Sequence, residues 1–461
     1  MMRLFDTAAQ EVLDLRPRHP GEVSIYVCGP TVYDVPHVGH GRFTLVWDVL
    51  RRWLHFRGFN VRFVSNITDV DDKIIQRAER EGVSESAVAT RFEEVWWSSM
   101  AQLGVLRPSV APRATEWIDS MIELIETLMA RGVAYPLGDG IYFDVSAVAD
   151  YGLLALQPLE SLRAGARVDA RRDKRSPLDF ALWKFAKPGE PQWTASFGAG
   201  RPGWHTECVV MSLGLLGEGF DLHCGGLDLA FPHHENERAQ AVALGRPFAR
   251  RWAHNGFVMS GGEKMSKSLG NFTSLTDLLE RTDPRAYRLL VIRSHYRSPL
   301  DVNTETIADA ERSVARLDAL ARRFLLPRLA GDGVVDPVAA WAPEVENFVQ
   351  EVTRLLDDDL NTPAAVAALF DGVATANSLA DQGDSSAETW AHAVATLFGA
   401  LGLSLVGDEE PLPSEVADLV VRRDEARARR DWSEADRIRS ELESRGWIVE
   451  DSSQGTKVRR R

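Results

Sequence analysis

The chain has 461 residues, 44% of them hydrophobic and 26% charged, which is ordinary for a soluble globular protein and too long for one hydrophobic core. The net charge of −14 argues against a nucleic-acid-binding surface over the whole protein, although a local basic face remains compatible with it. Three widely spaced cysteines argue against a disulfide framework and favour a reducing compartment. The chain shows no signal-peptide pattern and no apolar run near the ~20 residues of a membrane span, so we expect a cytoplasmic protein.

Buried strands alternate with amphipathic helices at the beginning of the chain. The predicted elements are strands at 23–29 and 61–68 and helices at 37–58 and 69–82. The last of these helices opens with three aspartates, which suit the positive end of a helix dipole. This order predicts an α/β catalytic domain of Rossmann type with a parallel sheet, formed by residues 1–111 and 179–260.

The pattern changes between 112 and 178, which we interpret as an insertion into the sheet domain. Within it the sequence predicts a helix at 115–132, a strand at 138–145 and a basic, loop-like segment at 162–177. The sheet pattern then returns with strands predicted at 219–226 and 251–260. The second of these strands leads into a Gly-rich turn that carries the string KMSKS.

The second half of the chain is predicted to be helical. Residues 261–304 carry the KMSKS turn, and 305–406 show three amphipathic patterns separated by Gly, Pro and Asp, which predict a helical bundle. A Pro-rich linker at 407–414 opens a small C-terminal domain at 407–461. This domain pairs two helices, the first rich in Arg, and ends in a short β-like segment and the basic tail KVRRR.

Two motifs at the predicted ends of strands favour phosphate. His37 and His40 flank Gly39 at a helix start, where backbone N–H groups and the helix dipole attract anions. Lys264 and Lys267 lie on the Gly-rich turn, where two ammonium groups can stabilise the charge that develops in nucleotidyl transfer. A surface histidine pair and a solvated basic loop are the simpler alternatives for each motif alone. Their combination favours ATP binding by these five residues.

Four distant residues form a chemically matched set of metal ligands. His233 and Glu237 are spaced i and i+4 on a predicted helix, so their side chains face one way. Cys28 ends the first predicted strand, at the edge where open α/β sheets bind ligands, and Cys208 follows a likely helix start at PGWHTE. Two thiolates, an imidazole and a carboxylate suit zinc. A structural zinc more often uses closely spaced cysteine pairs, so this set predicts a metal in the active cleft.

A zinc ion in the cleft would favour a substrate that carries a thiol. Zinc binds thiolates strongly, whereas a serine hydroxyl ionises far less readily and is a poor ligand. Selection by this bond could exceed what a pocket achieves by size, so no editing domain is expected. We interpret Cys224 as a buried hydrophobic residue and assign no role to His234 or Glu235.

The chain resembles the bacterial cysteinyl-tRNA synthetases, which are class I aminoacyl-tRNA synthetases. The resemblance covers nearly the whole length. It rests on YVCGPTVYDVPHVGHGR, NITDVDDKI, DFALWK, PGWHTEC, FPHHENE, KMSKSLGN, HYRSPLD and DDLNTPAA. Phe43 departs from the family pattern, where Thr or Ser is common, and is left out of the site. The resemblance implies a connective domain at 112–178, a stem-contact region with the KMSKS loop at 261–304 and an anticodon-binding domain at 407–461.

The resemblance also implies residue roles and a two-step reaction. Cys28, Cys208, His233 and Glu237 match the family's zinc ligands, and Lys267 matches its ATP-contacting lysine. The residues that match the pocket for cysteine and cysteinyl-adenylate are Gly29, Thr31, Asn66, Thr68, Trp204, Gly226 and Asp228. The implied enzyme is a monomer with one zinc ion. It joins cysteine to ATP, which carries Mg²⁺, and then transfers the cysteine from cysteinyl-AMP to tRNA(Cys).

Two alternatives stay open from the sequence. A related ligase of the mycothiol pathway joins activated cysteine to an amino sugar and shares both phosphate motifs and the cysteines. Such relatives carry an ERGGDP run, which this chain lacks, and they have neither the glutamate at position 237 nor an anticodon-binding domain. The second alternative is a non-catalytic zinc- or RNA-binding relative of the synthetases, which loss of HVGH or of the KMSKS lysines would signal. Both motifs are intact here.

Overall fold

The computed structural model describes residues 2–155, 173–260, 263–264, 274–328, 333–407, 414–452 and 455–460. The strands are β1 Arg3–Asp6, β2 Glu11–Asp14, β3 Glu22–Val27, β4 Asn60–Ser65, β5 Ala134–Leu137, β6 Gly140–Phe143, β7 Phe180–Phe185, β8 Gly200–Pro202, β9 Leu222–Gly226, β10 Arg251–Asn255, β11 Val258–Ser260, β12 Glu263–Lys264, β13 Leu300–Asp301, β14 Trp447–Ser452 and β15 Gly455–Arg460. The longer helices are α1 Val38–Phe56, α2 Asp72–Glu81, α3 Glu85–Gln102, α4 Ile118–Ala130, α5 Trp204–Leu216, α6 Glu235–Ala243, α7 Leu275–Leu279, α8 Pro284–Ile292, α9 Thr304–Phe324, α10 Pro343–Asp357, α11 Thr362–Asp381, α12 Ser386–Ala400, α13 Ser414–Ala428 and α14 Trp432–Ser444.

A four-stranded parallel sheet lies at the centre of the first half, in the order β10-β9-β3-β4. Most side chains of its strands are buried because both faces are covered, as parallel sheets require. Along β3 the side chains alternate. Ile25 and Val27 pack into the cluster that contains α1 and the helical bundle, whereas Tyr26 and then Cys28 pack into the cluster that contains α5 and the inserted sheet. The predicted Rossmann-type sheet is confirmed, and the pleat directs Cys28 toward α5.

Helix α1 crosses from β3 to β4 and joins the sheet to the bundle. One face of it buries a run of large apolar residues that includes Leu50 and Trp53. On the same helix Asp48 is buried between two guanidinium groups, with Arg52 Nε at 2.9 Å and Arg288 Nη1 of α8 at 2.7 Å. Arg288 also donates to the carbonyl oxygens of residues 103, 104 and 401. This buried ion cluster ties the bundle to the catalytic sheet.

The inserted region is built on an antiparallel sheet in the order β5-β6-β7-β8, packed near α4 and α5. The insertion predicted from the sequence ends at residue 178. In the structure β7 pairs with β6 and β8 pairs with β7, so the inserted sheet continues to Pro202. The boundary was missed because pairing between distant strands leaves no local pattern. Most of the basic segment predicted at 162–177 lies outside the described residues.

The single strand predicted at 251–260 is also wrong, because the chain changes sheets within it. β10 belongs to the parallel sheet, whereas β11 lies between β12 and β13 in a separate three-stranded sheet. The break falls at Gly256, whose backbone lies against the next segment. A Cβ atom there would come within 2.6 Å of the carbonyl oxygens of Arg297 and Ser298. Only glycine therefore fits this crossing.

The helices predicted for the second half are confirmed. Helices α9 to α12 pack their apolar faces into the same core as α1. The C-terminal unit, defined as residues 414–452 and 455–460, consists of α13, α14 and the β14–β15 hairpin around a small core of its own. Among the described residues, the structure contains no helix that is both long and apolar enough to span a membrane.

Candidate active site

The four predicted metal ligands meet at one buried point, which we name the metal corner: Cys28, Cys208, His233 and Glu237. Their donor atoms all lie within 4.8 Å of one another. The Cys28 Sγ atom is 3.7 Å from Cys208 Sγ and 3.4 Å from Glu237 Oε1, which is 3.0 Å from His233 Nε2. Cys28 follows β3 and Cys208 lies in α5, while His233 lies in the wide turn before α6 and Glu237 in its first turn. Three separate elements therefore converge on this corner.

Burial and mutual contact shift every pKa in the metal corner. Burial, with the neighbouring Cys208 and Glu237, raises the pKa of the Cys28 thiol well above its usual value. Burial also opposes ionisation of Cys208, but contacts with Cys28 and His233 outweigh it and lower its pKa to about 6. For Glu237, the imidazoles of His223 and His233 overcome burial and hold the pKa well below its usual range. A divalent cation would compensate the buried carboxylate and displace the protons of the thiols, because metal ligands bind in their deprotonated forms. The donor set thus fits zinc chemically.

A group of histidines lies behind the metal corner, and the sequence did not identify it. His223 Nε2 is 2.7 Å from Glu237 Oε2, and His205 Nδ1 is 3.0 Å from His233 Nδ1. Imidazoles that contact ligands in this way fix the orientation of those ligands. His234, to which the sequence assigned no role, forms a second possible donor group with Cys28, His223 and Glu237. Burial, together with the neighbouring His223, holds the pKa of His234 well below its usual value.

The loops after β3 and β4 meet beside the metal corner, as expected for the carboxyl edge of a parallel sheet. Gly29 N–H donates to Asn66 Oδ1 at 2.8 Å. A Cβ atom on Gly29 would lie 1.6 Å from the backbone oxygen of Asn66, so a side chain is excluded there. Thr31 and Thr68 form a parallel bridge between the two loops. The structure therefore brings four of the predicted pocket residues together.

Glu207 belongs to the same cluster, although the sequence did not point to it. The Asn66 amide donates to Thr68 Oγ1 at 3.2 Å, and Thr68 Oγ1 donates to Glu207 Oε2 at 2.7 Å. Glu207 is buried, and burial raises the pKa of its carboxyl well above the usual value. Its position next to Cys208 within PGWHTEC was a signal that could have identified it.

Three further predicted residues lie near this edge. Trp204, the first residue of α5, is 39% exposed, and its ring stacks on His233 with centroids 4.0 Å apart. The Trp204 ring is therefore accessible to solvent, whereas the metal corner beside it is buried. Gly226 ends β9, and a Cβ atom on it would lie 2.6 Å from the exposed Asp228 carboxylate. Gly226 and Asp228 therefore lie close together at the carboxyl end of β9, at the edge of the candidate site.

The HVGH motif forms the start of α1. The His37 side chain caps the helix by accepting from the His40 N–H at 3.3 Å, and His40 Nδ1 accepts from the His37 N–H at 3.2 Å. Their rings stack with centroids 3.8 Å apart. A Cβ atom on Gly39 would come within 2.8 Å of the His37 ring. The two imidazoles thus hold the helix N-terminus in shape, with both rings half-buried.

The KMSKS segment lies partly outside the described residues. Lys264 ends β12, which pairs with β11, whereas Lys267 is not among the described residues. At residue 274, where the described part of the chain resumes, Ser274 forms a bridge with His37, and Leu275 N–H donates to the Pro36 oxygen at 2.8 Å. The segment that carries these lysines therefore ends beside the HVGH motif.

Comparisons with known proteins agree with this geometry. The model of the class I (C) tRNA synthetase catalytic domain matches residues 14–312, the DALR domain 351–406, and the cysteinyl-tRNA ligase anticodon-binding domain 409–459. The chain is 42% identical to the cysteine–tRNA ligase of Caldicellulosiruptor saccharolyticus, with all of both chains covered. It is 44% identical to that of Thermus thermophilus, covering 99% of this chain and 98% of the relative, and 45% identical to that of Alkalilimnicola ehrlichii, with full coverage of both.

Solved structures show the same fold at low identity. Mycobacterium tuberculosis methionyl-tRNA synthetase, in complex with methionyl-adenylate, matches with a TM-score of 0.60 at 18% identity, covering 82% of this chain and 89% of that one. Agrobacterium radiobacter LeuRS, from a ternary complex with tRNA and LeuAMS, matches with a TM-score of 0.62 at 11% identity, covering 84% of each chain. From the catalytic-domain match and the full-length relatives together, we conclude that the chain belongs to the cysteine–tRNA ligase family of class I aminoacyl-tRNA synthetases.

Proposed function

We propose that the chain ligates L-cysteine to tRNA(Cys) with ATP in two steps, through cysteinyl-AMP. The observation that carries the proposal is the convergence of two thiols, an imidazole and a carboxylate beside the loops after β3 and β4. A thiol-binding group at this point would lie at the edge where a Rossmann-type sheet binds its ligands, which supports the proposal. The similarity to cysteine–tRNA ligases over the full length supports the same activity.

In this proposal Cys28, Cys208, His233 and Glu237 hold a zinc ion. When bound, zinc supplies a bond that a substrate thiolate makes far more readily than a hydroxyl does. His223 and His205 hold the carboxylate and imidazole of the corner in place through the contacts described above. Selection of cysteine over serine would follow from this chemistry without an editing step.

The remaining pocket residues bind and orient the substrate. Gly29, Thr31, Asn66 and Thr68 line one side of the cysteine and adenylate pocket in this proposal. Trp204, Gly226 and Asp228 line the other. The bridge between the two strand loops and the absence of a side chain on Gly29 let these loops lie close together. Their contribution is the positioning of the substrate carboxylate, because catalysis without a covalent enzyme intermediate depends on orientation.

ATP lies at the start of α1, with Mg²⁺ on its phosphates. A cysteine carboxylate oxygen attacks the α-phosphorus, the α–β bridging bond breaks, and pyrophosphate leaves. His37, Gly39 and His40 provide the helix N-terminus and the space for the nucleotide, and Lys264 and Lys267 stabilise the developing phosphate charge. In the second step a ribose hydroxyl of the terminal adenosine of tRNA attacks the activated carbonyl and AMP leaves.

The domain roles complete the proposal. Residues 112–178 form a connective insertion, with its sheet extended to about 202 by the strand pairing described above. Residues 261–304 contact the acceptor stem, 305–406 form the bundle and 407–461 bind the anticodon. The Arg-rich α13 and the basic tail would meet the RNA backbone, in line with the matched anticodon-binding family. A monomeric state and a cytoplasmic location stay predictions of the sequence.

The proposal is tested by two assays on the full chain. ATP–pyrophosphate exchange should depend on cysteine and proceed at least 100-fold less well with serine, the discrimination expected from one strong ligand bond (about 2.7 kcal/mol). Radiolabelled cysteine should then be transferred to tRNA(Cys) and not to an amino sugar. Exchange without transfer to tRNA would favour the mycothiol-type ligase, and absence of exchange would favour a non-catalytic relative.

A further inference from the structure

Arg42, on α1 directly after HVGHG, has an unusual set of partners. Its side chain is 1% exposed, and its guanidinium contacts only backbone carbonyl oxygens. It donates to Phe257 at 2.6 Å, to Tyr296 at 3.2 Å, to His295 at 3.4 Å and, by a short contact, to Ser298. Within the described part of the chain, no carboxylate forms an ion pair with it, whereas the buried Arg52 and Arg288 share Asp48.

A buried cation without a counter-charge is costly for the fold. Burial lowers the pKa of Arg42 to about 10, with Tyr287 acting in the opposite direction, so the guanidinium stays protonated at neutral pH with carbonyl oxygens as its hydrogen-bond partners. An apolar side chain of similar volume is often as stabilising as a buried ionic group. The guanidinium offers instead a rigid fork of donors that fixes several acceptors in one geometry. A buried guanidinium of this kind indicates that the carbonyl groups it binds must be held in fixed positions.

The carbonyl groups that Arg42 binds belong to two segments that support β12, the strand that leads into residues 264–273, which carry KMSKS and which we name the lysine turn after the sequence prediction. Phe257 immediately precedes β11, which pairs with β12 and so reaches Lys264. The segment 295–298 precedes β13, which pairs with β11 on its other side. Gly256 N–H donates to the Tyr296 oxygen at 2.8 Å, so the two segments are also joined directly. Arg42 thus lies at the base of the three-stranded sheet from which the lysine turn departs.

The chain from residue 274 onward contacts the same helix start. Ser274 bridges to His37, and Leu275 N–H donates to the Pro36 oxygen. Tyr287 of α8 donates its hydroxyl to the Val38 oxygen at 2.5 Å. The beginning of α1 therefore contacts the chain both before and after the turn, and Arg42 provides the contact before it.

We propose that Arg42 is a positioning residue for ATP activation, which holds β11, β13 and the backbone of Lys264 in β12 at a fixed place relative to His37 and His40. The inference rests on the proposed function, because it assigns Arg42 a share in adenylate formation only. It predicts that loss of the guanidinium impairs the first step of the reaction and spares both cysteine binding and transfer to tRNA.

The test uses the full-length variants Arg42→Met and Arg42→Lys, with Arg51→Met as the matched control. Arg51 lies on the same helix and donates to a backbone carbonyl, that of Arg107, far along the chain from the lysine turn. Single-turnover adenylate formation, counted per active site, should fall about 100-fold in Arg42→Met, the size expected for misplaced catalytic groups, and less in Arg42→Lys. Cysteine affinity and transfer from preformed adenylate should change less than about threefold in either variant.

A double substitution gives the decisive readout. If Arg42 acts through the lysine turn, the double variant Arg42→Met/Lys267→Ala should form adenylate nearly as fast as Lys267→Ala alone. Once the ammonium group of Lys267 is gone, the loss of the residue that positions it has little further effect. Multiplicative losses, equal losses in both reaction steps, or the same step-specific loss in Arg51→Met would overturn the inference. If Arg42→Met fails to fold, the Arg42→Lys variant and its double with Lys267→Ala decide by the same criteria. Absence of cysteine-dependent exchange in the unmodified chain would instead refute the proposed function.

Discussion

In the metal corner the charged groups are buried and meet within 4.8 Å, whereas the ion pairs of α14 in the C-terminal unit lie along the surface. On α14, for example, Arg437 pairs with Glu434 at 2.7 Å and with Glu441 at 3.2 Å, and its side chain is 53% exposed. Removing one group from the corner leaves the charges of its partners buried and without compensation. Removing one from α14 leaves its partners to the solvent.

The difference shows how mutational effects in the two regions should be interpreted. In the metal corner, chemistry and local structure depend on the same buried groups, so a variant needs a metal measurement beside its activity. On α14, exposed arginines such as Arg437 contribute little to the fold, so a changed interaction with RNA can be read from them directly, whereas the buried Arg423 also supports the fold of the unit. The predictions below test this contrast from the strongest expected effect to the weakest.

Cys208→Ser should give the largest effect. Replacing a thiolate ligand by a hydroxyl should abolish stable zinc binding and reduce cysteine activation by about 1000-fold, more than the 10–100-fold typical of groups that only support a ligand. Metal analysis and ATP–pyrophosphate exchange measure the two losses, and circular dichroism should show a fold that largely persists. Cys224→Ser is the matched control, because Cys224 lies outside the corner. Full zinc content and normal activation in Cys208→Ser would remove Cys208 from the site.

Lys267→Ala should lower the rate of adenylate formation by about 100-fold, the loss typical of one electrostatic donor to a transition state. The lysine should meet phosphate charge mainly as that state forms, so cysteine affinity should be nearly unchanged. Single-turnover kinetics and equilibrium binding separate the two quantities. An unchanged rate of activation would mean that KMSKS is a solvated loop in this protein.

Removing residues from 412 onward should spare adenylate formation, because every proposed catalytic residue precedes position 270. Charging of tRNA should fall roughly tenfold or more, with the loss in tRNA affinity, since basic groups that meet phosphates dominate such binding. Aminoacylation at near-physiological salt, with KM and kcat measured separately, provides the test. Equal charging by both forms would rule out a tRNA-binding role for the C-terminal unit.

Arg437→Ala should give the smallest effect. Arg437 is exposed on α14, and its partners can turn to water. The substitution should therefore leave the unfolding midpoint within error of that of the unmodified protein and change the rate of adenylate formation less than about twofold. Thermal unfolding monitored by circular dichroism and the exchange assay supply the measurements. A large drop in stability would contradict the contrast between buried and surface charge drawn above.

The sequence predicted the parts of the molecule that have local signals. Periodicity identified β3, α1 and three of the bundle helices, α9 to α11, but not α12, and short motifs pointed to the four residues of the metal corner. It did not identify His223 or Glu207, because their importance depends on contacts with residues far along the chain. The run 251–260 was predicted as one strand for the same reason, since only the packing of Gly256 against residues 297 and 298 divides it.

The central claim is that a zinc ion in the metal corner selects and holds the substrate thiol. The most direct measurement is cysteine-dependent ATP–pyrophosphate exchange on the full chain, recorded as purified, after chelation and after readdition of zinc, with metal content determined at each stage. The account predicts one zinc per chain, loss of cysteine activation on chelation and recovery in proportion to zinc bound. Undiminished cysteine activation by the metal-free protein, with serine still excluded, would contradict it.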